Sequence, residues 1–589
     1  MNIQRDPPPC PNHALLSQNT YFDNLLTQRV VNCSVIVTVS LSATNRAMGK
    51  ASSKPSPGSS SPVKATRQPN MASINGGGSP PGIARSGPPH FAQGGPPPGV
   101  IPGPGGPPPG IFGPPIDLST LPKPPPSNPS LPAILILCTS STAPGHVLPL
   151  TAIASHLVSK GYPVHFVGGI QHAHIIVSSA SHFIPIHESL SLAKGPYRKW
   201  GMERANYPEG LPRMVQDFKT FFIGQIEGQF LSSKAALEGL RERYGKERKI
   251  IVVNETMWFG FLPFKYGASL GQLKGWEEGE EVPKTVGINV TPVMLDGDSM
   301  PPFPLGILPG EGEAVRERDR VLKEWYYKYV VREAYDGFRD NIKACGGVNV
   351  PDEWMVNLSY TAHDVTLQLC DEVLEYPRPD LPAHVKFAGS LPPKKGKRDG
   401  YQWPEWWQGE VLERKEGRKI VVVSQGTLAR DYTMLLAPTI KALAGREDVL
   451  VIALLGKQGV ETPPEVLPEG VDLGNVKVVD FIPYDSVLEH ADVMVFNAGY
   501  GGFVHCIVNG VPVVAAGLTE DKCEVSARVE WTGAGINLRT GRPAPEAVLA
   551  AVNTILGDDK YRKKVQELAG QVAKGNPVEA VEKEIRSLS

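Results

Sequence analysis

The stretch DVMVFNAGYGGFVHCIVNGVPVVAAG, residues 492–517, decides the fold. An apolar run ends at Asn497, a glycine-rich turn follows, and a helical segment from Tyr500 to Asn509 leads into a second apolar run at 511–517. Strand, turn, helix and strand in this order form the βαβ unit of a parallel sheet. Glycines at the strand end let backbone N–H groups and the positive end of the helix face an anion, as a diphosphate requires.

The same pattern recurs along both halves of the chain. Further buried strands are predicted at 131–140, 161–169, 248–255, 285–292, 420–428, 449–456 and 476–483, with helical segments between most of them. Two consecutive units of this kind predict an α/β protein with two doubly wound, Rossmann-like domains that face a cleft. Aromatic-rich helical segments at 214–230 and 325–342 could line a wide pocket in the first domain.

Composition changes sharply before residue 131. Pro, Gly, Ser and Asn dominate from about 50 to 130, and such a segment buries too little apolar surface to offset its backbone entropy. We therefore predict a disordered region at 1–130, a first Rossmann-like domain at 131–390, a linker at 391–417 and a second Rossmann-like domain at 418–589. The PPP and PxxP runs leave open a docking role toward an SH3- or WW-type partner.

The bulk composition excludes several classes of protein. With 59 basic and 60 acidic residues among 589, the chain lacks the basic excess of a nucleic-acid-binding protein. Its seven cysteines never form a CxxC pair, so neither a disulfide framework nor a structural zinc site is expected, and a cytoplasmic, reducing setting fits. The apolar stretch at 30–43 is too short and too polar for a membrane span, although peripheral association stays open.

The region 480–538 resembles the donor-binding signature of the UDP-glycosyltransferase superfamily, which has the GT-B fold. The likeness is strongest to its macrolide-glycosyltransferase-like branch in bacteria and fungi, and it extends from about residue 131 to the C-terminus. It implies that the domain at 131–390 binds the acceptor and that the domain at 418–589 binds the nucleotide sugar. It implies four groups of donor-binding residues: Phe481, Ile482 and Pro483 at the base; Asn497, Gly499, Tyr500, Gly501 and Gly502 at the diphosphate; Glu520 and Asp521 at the sugar hydroxyls; and Ser424, Gln425, Gly426 and Thr427 beside the phosphates.

Three positions depart from the pattern of many members. Asn497 stands where a histidine often faces the phosphate, so a neutral amide replaces a cationic contact. His505 occupies the place of the ribose-binding glutamate of plant members, and Lys522 that of their sugar-binding glutamine. The first and third departures fit the macrolide-type branch, and UDP is favoured over TDP.

One histidine is the candidate general base. His146 lies in TAPGHVLPL at 142–150, just after the first predicted strand, and its GHxxP pattern resembles the catalytic histidine of the family. An imidazole with a pKa near 6.5 suits proton abstraction at neutral pH. Such a base needs a partner that orients it, and the end of the strand at 248–255 offers Glu255, which we favour, or Asn254.

These residues predict an inverting transfer of a hexose, glucose first, from a UDP-sugar to a hydroxyl of a small apolar acceptor such as a lipid, sterol, polyketide or phenolic. The UDP-sugar is a co-substrate, and we expect no cofactor and no metal. The Asp296–Asp298 pair forms a DxD motif, but it lies in a Pro-rich loop without the matching sheet context. Two alternatives remain: a nucleotide-sugar-binding protein without transfer activity, and a nucleotide-sugar epimerase.

Overall fold

A computed structural model describes residues 121–139, 144–190, 203–298, 300–394, 401–427, 429 and 431–589. The predictions for residues 1–120, including the disordered arm, its PxxP runs and the apolar stretch at 30–43, lie outside the described residues. Residues 121–130 were predicted to belong to the disordered region, but here the backbone N–H of Asn128 donates to the carbonyl of Gly161 at 2.9 Å.

The strands are all parallel and form two sheets among the described residues. They are β1 (Ala133–Leu137), β2 (Val164–Gly168), β3 (His182–Pro185), β4 (Ile250–Glu255), β5 (Lys284–Asn289), β6 (Val365–Gln368), β7 (Val385–Phe387), β8 (Lys419–Ser424), β9 (Val449–Leu454), β10 (Val476–Val479), β11 (Val493–Phe496), β12 (Val513–Ala515) and β13 (Gly535–Asn537). The N-terminal sheet has the order β3-β2-β1-β4-β5-β6-β7, and the C-terminal sheet has the order β10-β9-β8-β11-β12-β13.

The α-helices connect these strands and cover both faces of each sheet. They are α1 (Pro144–Ser159), α2 (Ala173–Val177), α3 (Leu211–Asp217), α4 (Ile226–Tyr244), α5 (Leu262–Lys265), α6 (Glu313–Trp325), α7 (Arg332–Ala344), α8 (Met355–Thr361), α9 (Leu436–Leu443), α10 (Tyr484–Leu488), α11 (Tyr500–Val508), α12 (Lys522–Thr532), α13 (Pro545–Gly557), α14 (Asp559–Val572) and α15 (Pro577–Leu588). Within the described ranges, every helix is too short or too polar to span a lipid bilayer.

Strand β1 shows why the sheets are covered on both faces. All five of its residues are fully buried, as expected for a central strand of a parallel sheet. Ile134 and Ile136 pack in one hydrophobic cluster with α1, whereas Leu135 and Leu137 pack in another with α4. The predicted doubly wound architecture is therefore confirmed in the N-terminal lobe, and the cores on either side of β8 repeat it in the C-terminal lobe.

Nine strands lie where the sequence predicts them, but the sequence reading missed β3, β6, β7 and β13. These strands are three or four residues long. β6 lies between β5 and β7 and is buried throughout, so its four residues are simply too few for a clear pattern. The other three lie at sheet edges, where only part of the strand surface is buried. In β3 and β13, for example, no residue is fully buried.

The last helix belongs to the N-terminal lobe by its packing, although the predicted domain at 418–589 assigned it to the other. Val581 and Ile585 of α15 are fully buried in the cluster that contains β1 and α1. Glu582 accepts from Nε2 of His156 in α1 at 2.7 Å. The chain therefore returns to the N-terminal lobe after α14, and the segment between α14 and α15 is a second covalent connection between the lobes.

Candidate active site

Both candidate sites lie where the strand order of a sheet reverses. In the N-terminal sheet β1 lies between β2 and β4, and His146 follows β1 while Glu255 ends β4. In the C-terminal sheet the corresponding strands are β8 and β11, which are followed by the two predicted phosphate-binding loops. Crevices at such switch points are the ligand-binding places of open α/β sheets.

Glu255 is the residue that contacts His146. Its Oε1 lies 3.2 Å from Nδ1 of His146 and accepts from the backbone N–H of Met257 at 3.2 Å. The hydroxyl of Thr139, just past β1, donates to the other carboxylate oxygen. Glu255 is fully buried, so these neighbours fix its orientation from two sides. Sequence reasoning missed Thr139, whose residue type is common at strand ends.

Asn254, the alternative partner, faces the other way. Its Nδ2 donates to the carbonyls of Glu255 at 2.9 Å and Trp258 at 3.1 Å, and it lies 3.5 Å from Nε2 of His363. Successive side chains of a strand point to opposite faces, so only one of the two residues can reach His146. The geometry pairs His146 with Glu255.

The environment of His146 favours its protonated form. Burial lowers the pKa of its imidazole, but the carboxylate of Glu255 outweighs burial, and the pKa lies above its ordinary 6.5. Asp521 of the C-terminal lobe raises the pKa of His146 further. Burial raises the pKa of Asp521, and His146 partly opposes that rise. The imidazole and a predicted sugar-binding carboxylate therefore face the same cleft from opposite lobes.

Hydrogen bonds of its own side chains hold the loop after β8 in its conformation. Ser424 accepts hydrogen bonds from Gly426 N–H at 3.2 Å and from the hydroxyl of Tyr484 at 2.8 Å. The side-chain oxygen of Gln425 accepts from the N–H groups of Leu435 and Leu436, at the start of α9. These side chains shape the loop, which leaves its backbone and the exposed Thr427 to face a ligand.

Asn497 ties the two phosphate-binding loops together. Its side-chain Nδ2 donates to the carbonyl of Gln425 at 2.5 Å, and Gly426 lies beside its Oδ1 with φ +72°. One N–H of this amide therefore holds the neighbouring loop, and the second N–H is left for the predicted contact with the diphosphate.

The glycine-rich turn opens α11 without a side-chain cap. Gly499 precedes the helix, and its carbonyl accepts the first helical bond, from Phe503 N–H at 3.0 Å, so the N–H groups of residues 500–502 lack helical partners. A Cβ on Gly501 would meet no atom within 4 Å, whereas one on Gly502 would lie 3.3 Å from Phe496. Gly501 therefore lies on the side of this helix end that is open to a ligand.

Tyr500, predicted to lie at the diphosphate, points into the protein. Its hydroxyl donates to Oε1 of Glu375 at 3.2 Å and accepts from Nε2 of Gln368 at 3.2 Å, both in the N-terminal lobe. Glu375 also pairs with Arg528 of α12 at 2.6 Å, and both residues are 1% exposed. Tyr500 contributes to the buried contact between lobes, so only its backbone can serve the donor.

The segment predicted to hold the nucleotide base, residues 481–483, lies partly in the hydrophobic core. Ile482 is 1% exposed within a hydrophobic cluster, so its side chain supports the loop rather than a ligand. The carbonyl of Phe481 accepts from the hydroxyl of Tyr401 at 2.6 Å, and the two rings meet edge to face. Pro483 is buried immediately before α10. Tyr401, in the predicted linker, was missed.

His505 has a carboxylate neighbour that the sequence reading missed. Its Nδ1 lies 2.7 Å from Oδ1 of Asp485, and its ring stacks on Tyr484. Burial raises the pKa of Asp485, but the hydrogen bond from His505 contributes to a net lowering, so the carboxyl stays ionised. The imidazole edge remains half exposed and available to a ligand hydroxyl.

The acidic pair follows β12. The Glu520 carboxylate contacts Lys522 and accepts from the hydroxyl of Thr519 at 2.6 Å. Burial alone would raise the pKa of Glu520, but the ammonium of Lys522 outweighs it and lowers the pKa to about 2. Lys522, predicted to contact the sugar, is thus an ion-pair partner of the carboxylate predicted beside it.

Two large apolar side chains are exposed in the first βαβ unit, which also carries His146. Leu148, two residues further along α1, is 43% exposed, and Ile170, just after the neighbouring β2, is 39% exposed. In contrast, the aromatic segments at 214–230 and 325–342 mostly fill a core of their own, with Tyr326 and Phe338 among its buried members. The pocket wall expected from these segments is therefore mainly a hydrophobic core.

Comparison with known proteins agrees with this geometry. Residues 448–586 match the family model described as the erythromycin biosynthesis protein CIII-like, C-terminal domain. The chain is 34% identical over 457 residues to UDP-glucosyltransferase 1 of Beauveria bassiana (strain ARSEF 2860), which covers 76% of this chain and 94% of that protein.

This chain belongs to the UDP-glycosyltransferase family. The 4'-demethylrebeccamycin synthase of Lentzea aerocolonigenes is also similar, at 30% identity over 74% of this chain and 95% of its own length. The solved structure of the glycotransferase of kitacinnamycin superposes with a TM-score of 0.53 at 20% identity, covering 78% of this chain and all of that one. The GT-B fold predicted for this UDP-glycosyltransferase is confirmed.

Proposed function

We propose that this UDP-glycosyltransferase transfers a hexose, glucose first, from a UDP-sugar to a hydroxyl of a small apolar acceptor with inversion at the anomeric carbon. The observation that carries the proposal is the 3.2 Å approach of Glu255 Oε1 to His146 Nδ1 at the switch point of the N-terminal sheet. A carboxylate beside Nδ1 favours a proton on that nitrogen, which leaves the Nε2 lone pair free to accept another.

In the proposed reaction, neutral His146 takes the proton of the acceptor hydroxyl as its oxygen attacks the anomeric carbon. The bond from that carbon to the diphosphate breaks, and UDP leaves with the electron pair. Glu255 stabilises the imidazolium that forms, and the N–H groups at the start of α11 stabilise the charge on the departing diphosphate.

An apolar acceptor fits the surface beside His146. Leu148 and Ile170 expose aliphatic side chains at the carboxyl edge of the N-terminal sheet, where they can cover the body of a lipid, sterol, polyketide or phenolic. The name of the similar 4'-demethylrebeccamycin synthase supports a secondary metabolite as acceptor. The five cysteines of the described residues are free thiols, which agrees with the proposed cytoplasmic location.

A donor and acceptor screen tests the proposal. The full chain is incubated with UDP-, TDP- or GDP-glucose and a panel of hydroxylated apolar compounds, and products are detected by mass spectrometry. We expect a hexosylated acceptor with UDP-glucose, and a β-linkage in its NMR spectrum, since the donor linkage is α. UDP-glucose binding without product would favour a binding protein, and an epimerised donor without acceptor would favour an epimerase. A retained α-linkage would contradict inversion.

A further inference from the structure

Arg204 connects the two lobes beside the acidic pair. It lies in a short 3₁₀ turn of the N-terminal lobe, Arg204–Asn206, and its Nη2 donates to Oε1 of Glu520 at 2.5 Å. On the other side its Nε donates to both carboxylate oxygens of Asp217 in α3, at 3.1 Å and 3.3 Å. One guanidinium therefore bridges a carboxylate from each lobe.

Each oxygen of Glu520 is held from a different lobe. Oε2 contacts Thr519 and Lys522, its neighbours in the C-terminal lobe, whereas Oε1 accepts from Arg204. The backbone of Glu520 has φ +51°, in the left-handed region that non-glycine residues seldom adopt. The orientation of the Glu520 carboxylate therefore depends on contacts from both lobes, and the contact from the N-terminal lobe is Arg204.

We propose that Arg204 is a positioning residue that orients Glu520 for the donor sugar and holds the lobes together at the sugar end of the cleft. The inference rests on the proposed function, in which Glu520 accepts from a sugar hydroxyl. A carboxylate oriented before binding loses less conformational freedom when the hydroxyl arrives, so the sugar binds more tightly. The UDP part of the donor would be bound by other loops, after β8 and β11, so the affinity for UDP should not depend on Arg204.

The arrangement requires an arginine. A planar guanidinium can donate to two carboxylates in different directions at once, whereas a lysine ammonium on a flexible stem has no such fixed fork.

Binding of UDP-glucose and of UDP to the full chain, each measured by calorimetry, tests the role of Arg204. Arg204→Gln is compared with Arg204→Lys and with Arg204→Gln/Asp217→Asn, since the double variant also removes the carboxylate charge that Arg204 contacts in its own lobe. We expect all three to weaken UDP-glucose binding about tenfold, roughly 1.4 kcal/mol, while the Kd of UDP changes less than about twofold, or roughly 0.4 kcal/mol.

Arg542→Gln is the matched control. Arg542 also spans the lobes, 3.8 Å from Glu209 and 2.7 Å from Asp431, but contacts no predicted donor residue. It should leave both affinities unchanged. Equal weakening of UDP and UDP-glucose by the Arg204 variants, unchanged UDP-glucose affinity, or rescue by lysine would overturn the inference. A wild-type chain that binds UDP-glucose but transfers no sugar would contradict the proposed function alone, because this test reads binding.

Discussion

Oε1 of Glu255 lies 3.2 Å from Nδ1 of His146. Glu255 ends β4, and His146 lies in the first turn of α1, the helix that follows the neighbouring parallel strand β1. The pair forms because β1 and β4 are adjacent, although His146 and Glu255 are 109 positions apart in the sequence. Oε2 of the same carboxylate is held by Thr139, so the carboxylate cannot rotate away from the imidazole without losing a hydrogen bond.

His146→Ala should lower the rate of glycosyl transfer by at least about 100-fold, the usual contribution of a general base. The UDP-sugar binds to the other lobe, so its Kd should change little. Steady-state rates and calorimetry measure the two effects. His174→Ala removes an exposed histidine of the same lobe and should change neither. Turnover within a few-fold of the wild-type rate would exclude His146 as the base.

Glu255→Gln should move the pH dependence of kcat/KM to lower pH. The base acts when neutral, and since the pKa of His146 is raised above 6.5, the wild-type rate should climb with pH through a pKa above that value. Without the Glu255 carboxylate, burial of the imidazole lowers its pKa, so the climb comes earlier and reaches a lower plateau. A profile measured from pH 5 to 9 checks this.

Asn254→Ala is the comparison for Glu255→Gln. It removes a donor to two backbone carbonyls and should lower thermal stability, but it should leave the pH profile in place because its side chain faces away from His146. If Asn254→Ala shifted the pH profile and Glu255→Gln did not, Asn254 rather than Glu255 would be the partner of His146.

Local patterns in the sequence were enough to predict nine of the thirteen strands of the described residues and the glycine-rich turn. The run that ends at Asn497 and the glycines after it carry their signal within about ten residues, and so does His146 after β1. The choice between Asn254 and Glu255 needed the register of β4, because a shift of one residue exchanges the faces of a strand.

Contacts between distant segments could not be predicted in this way. Thr139 meets Glu255 across 116 residues, and Arg204 meets Glu520 across 316. Tyr500 was predicted to contact the diphosphate because it lies in the glycine-rich turn, yet its side chain is buried between the lobes. A motif fixes where a backbone segment lies, but the direction of each side chain depends on partners that only the fold brings near.

Gly501→Asp should weaken UDP binding and leave the fold intact. A Cβ at this position meets nothing within 4 Å, so the side chain fits. A carboxylate at a helix start stabilises the helix by about 0.3–1 kcal/mol, but it repels a diphosphate bound there. We expect the Kd of UDP to rise at least tenfold, about 1.4 kcal/mol, with an unchanged or higher melting temperature.

Gly501→Asn separates charge from size, because asparagine has nearly the shape of aspartate. It should weaken UDP binding much less than Gly501→Asp does. If both variants bind UDP as the wild type does, the diphosphate does not lie at this helix end and the donor assignment is wrong.

Arg528→Met should destabilise the folded protein strongly at neutral pH. Arg528 pairs with Glu375 at 2.6 Å and donates to the carbonyl of Val293 at 2.7 Å, and both charged residues are buried. Removing one partner of a buried pair leaves the other charge uncompensated, at a cost of about 3–5 kcal/mol. Urea unfolding at pH 7 measures the loss.

The loss should shrink as the pH falls from 7 to 5. Burial raises the pKa of Glu375, and Arg528 opposes that rise. Without Arg528 the folded protein binds a proton at Glu375 more readily than the unfolded chain does, so lowering the pH favours the folded state of the variant. Arg528 also contacts the carboxylate of Glu524, at 3.3 Å. Arg528→Met/Glu375→Gln removes one of the two carboxylates that lose this arginine and should lose less stability than Arg528→Met at pH 7. An equal loss in both variants, or one independent of pH, would show that the packing of Arg528 on Tyr376, rather than its charge, stabilises this junction between the lobes.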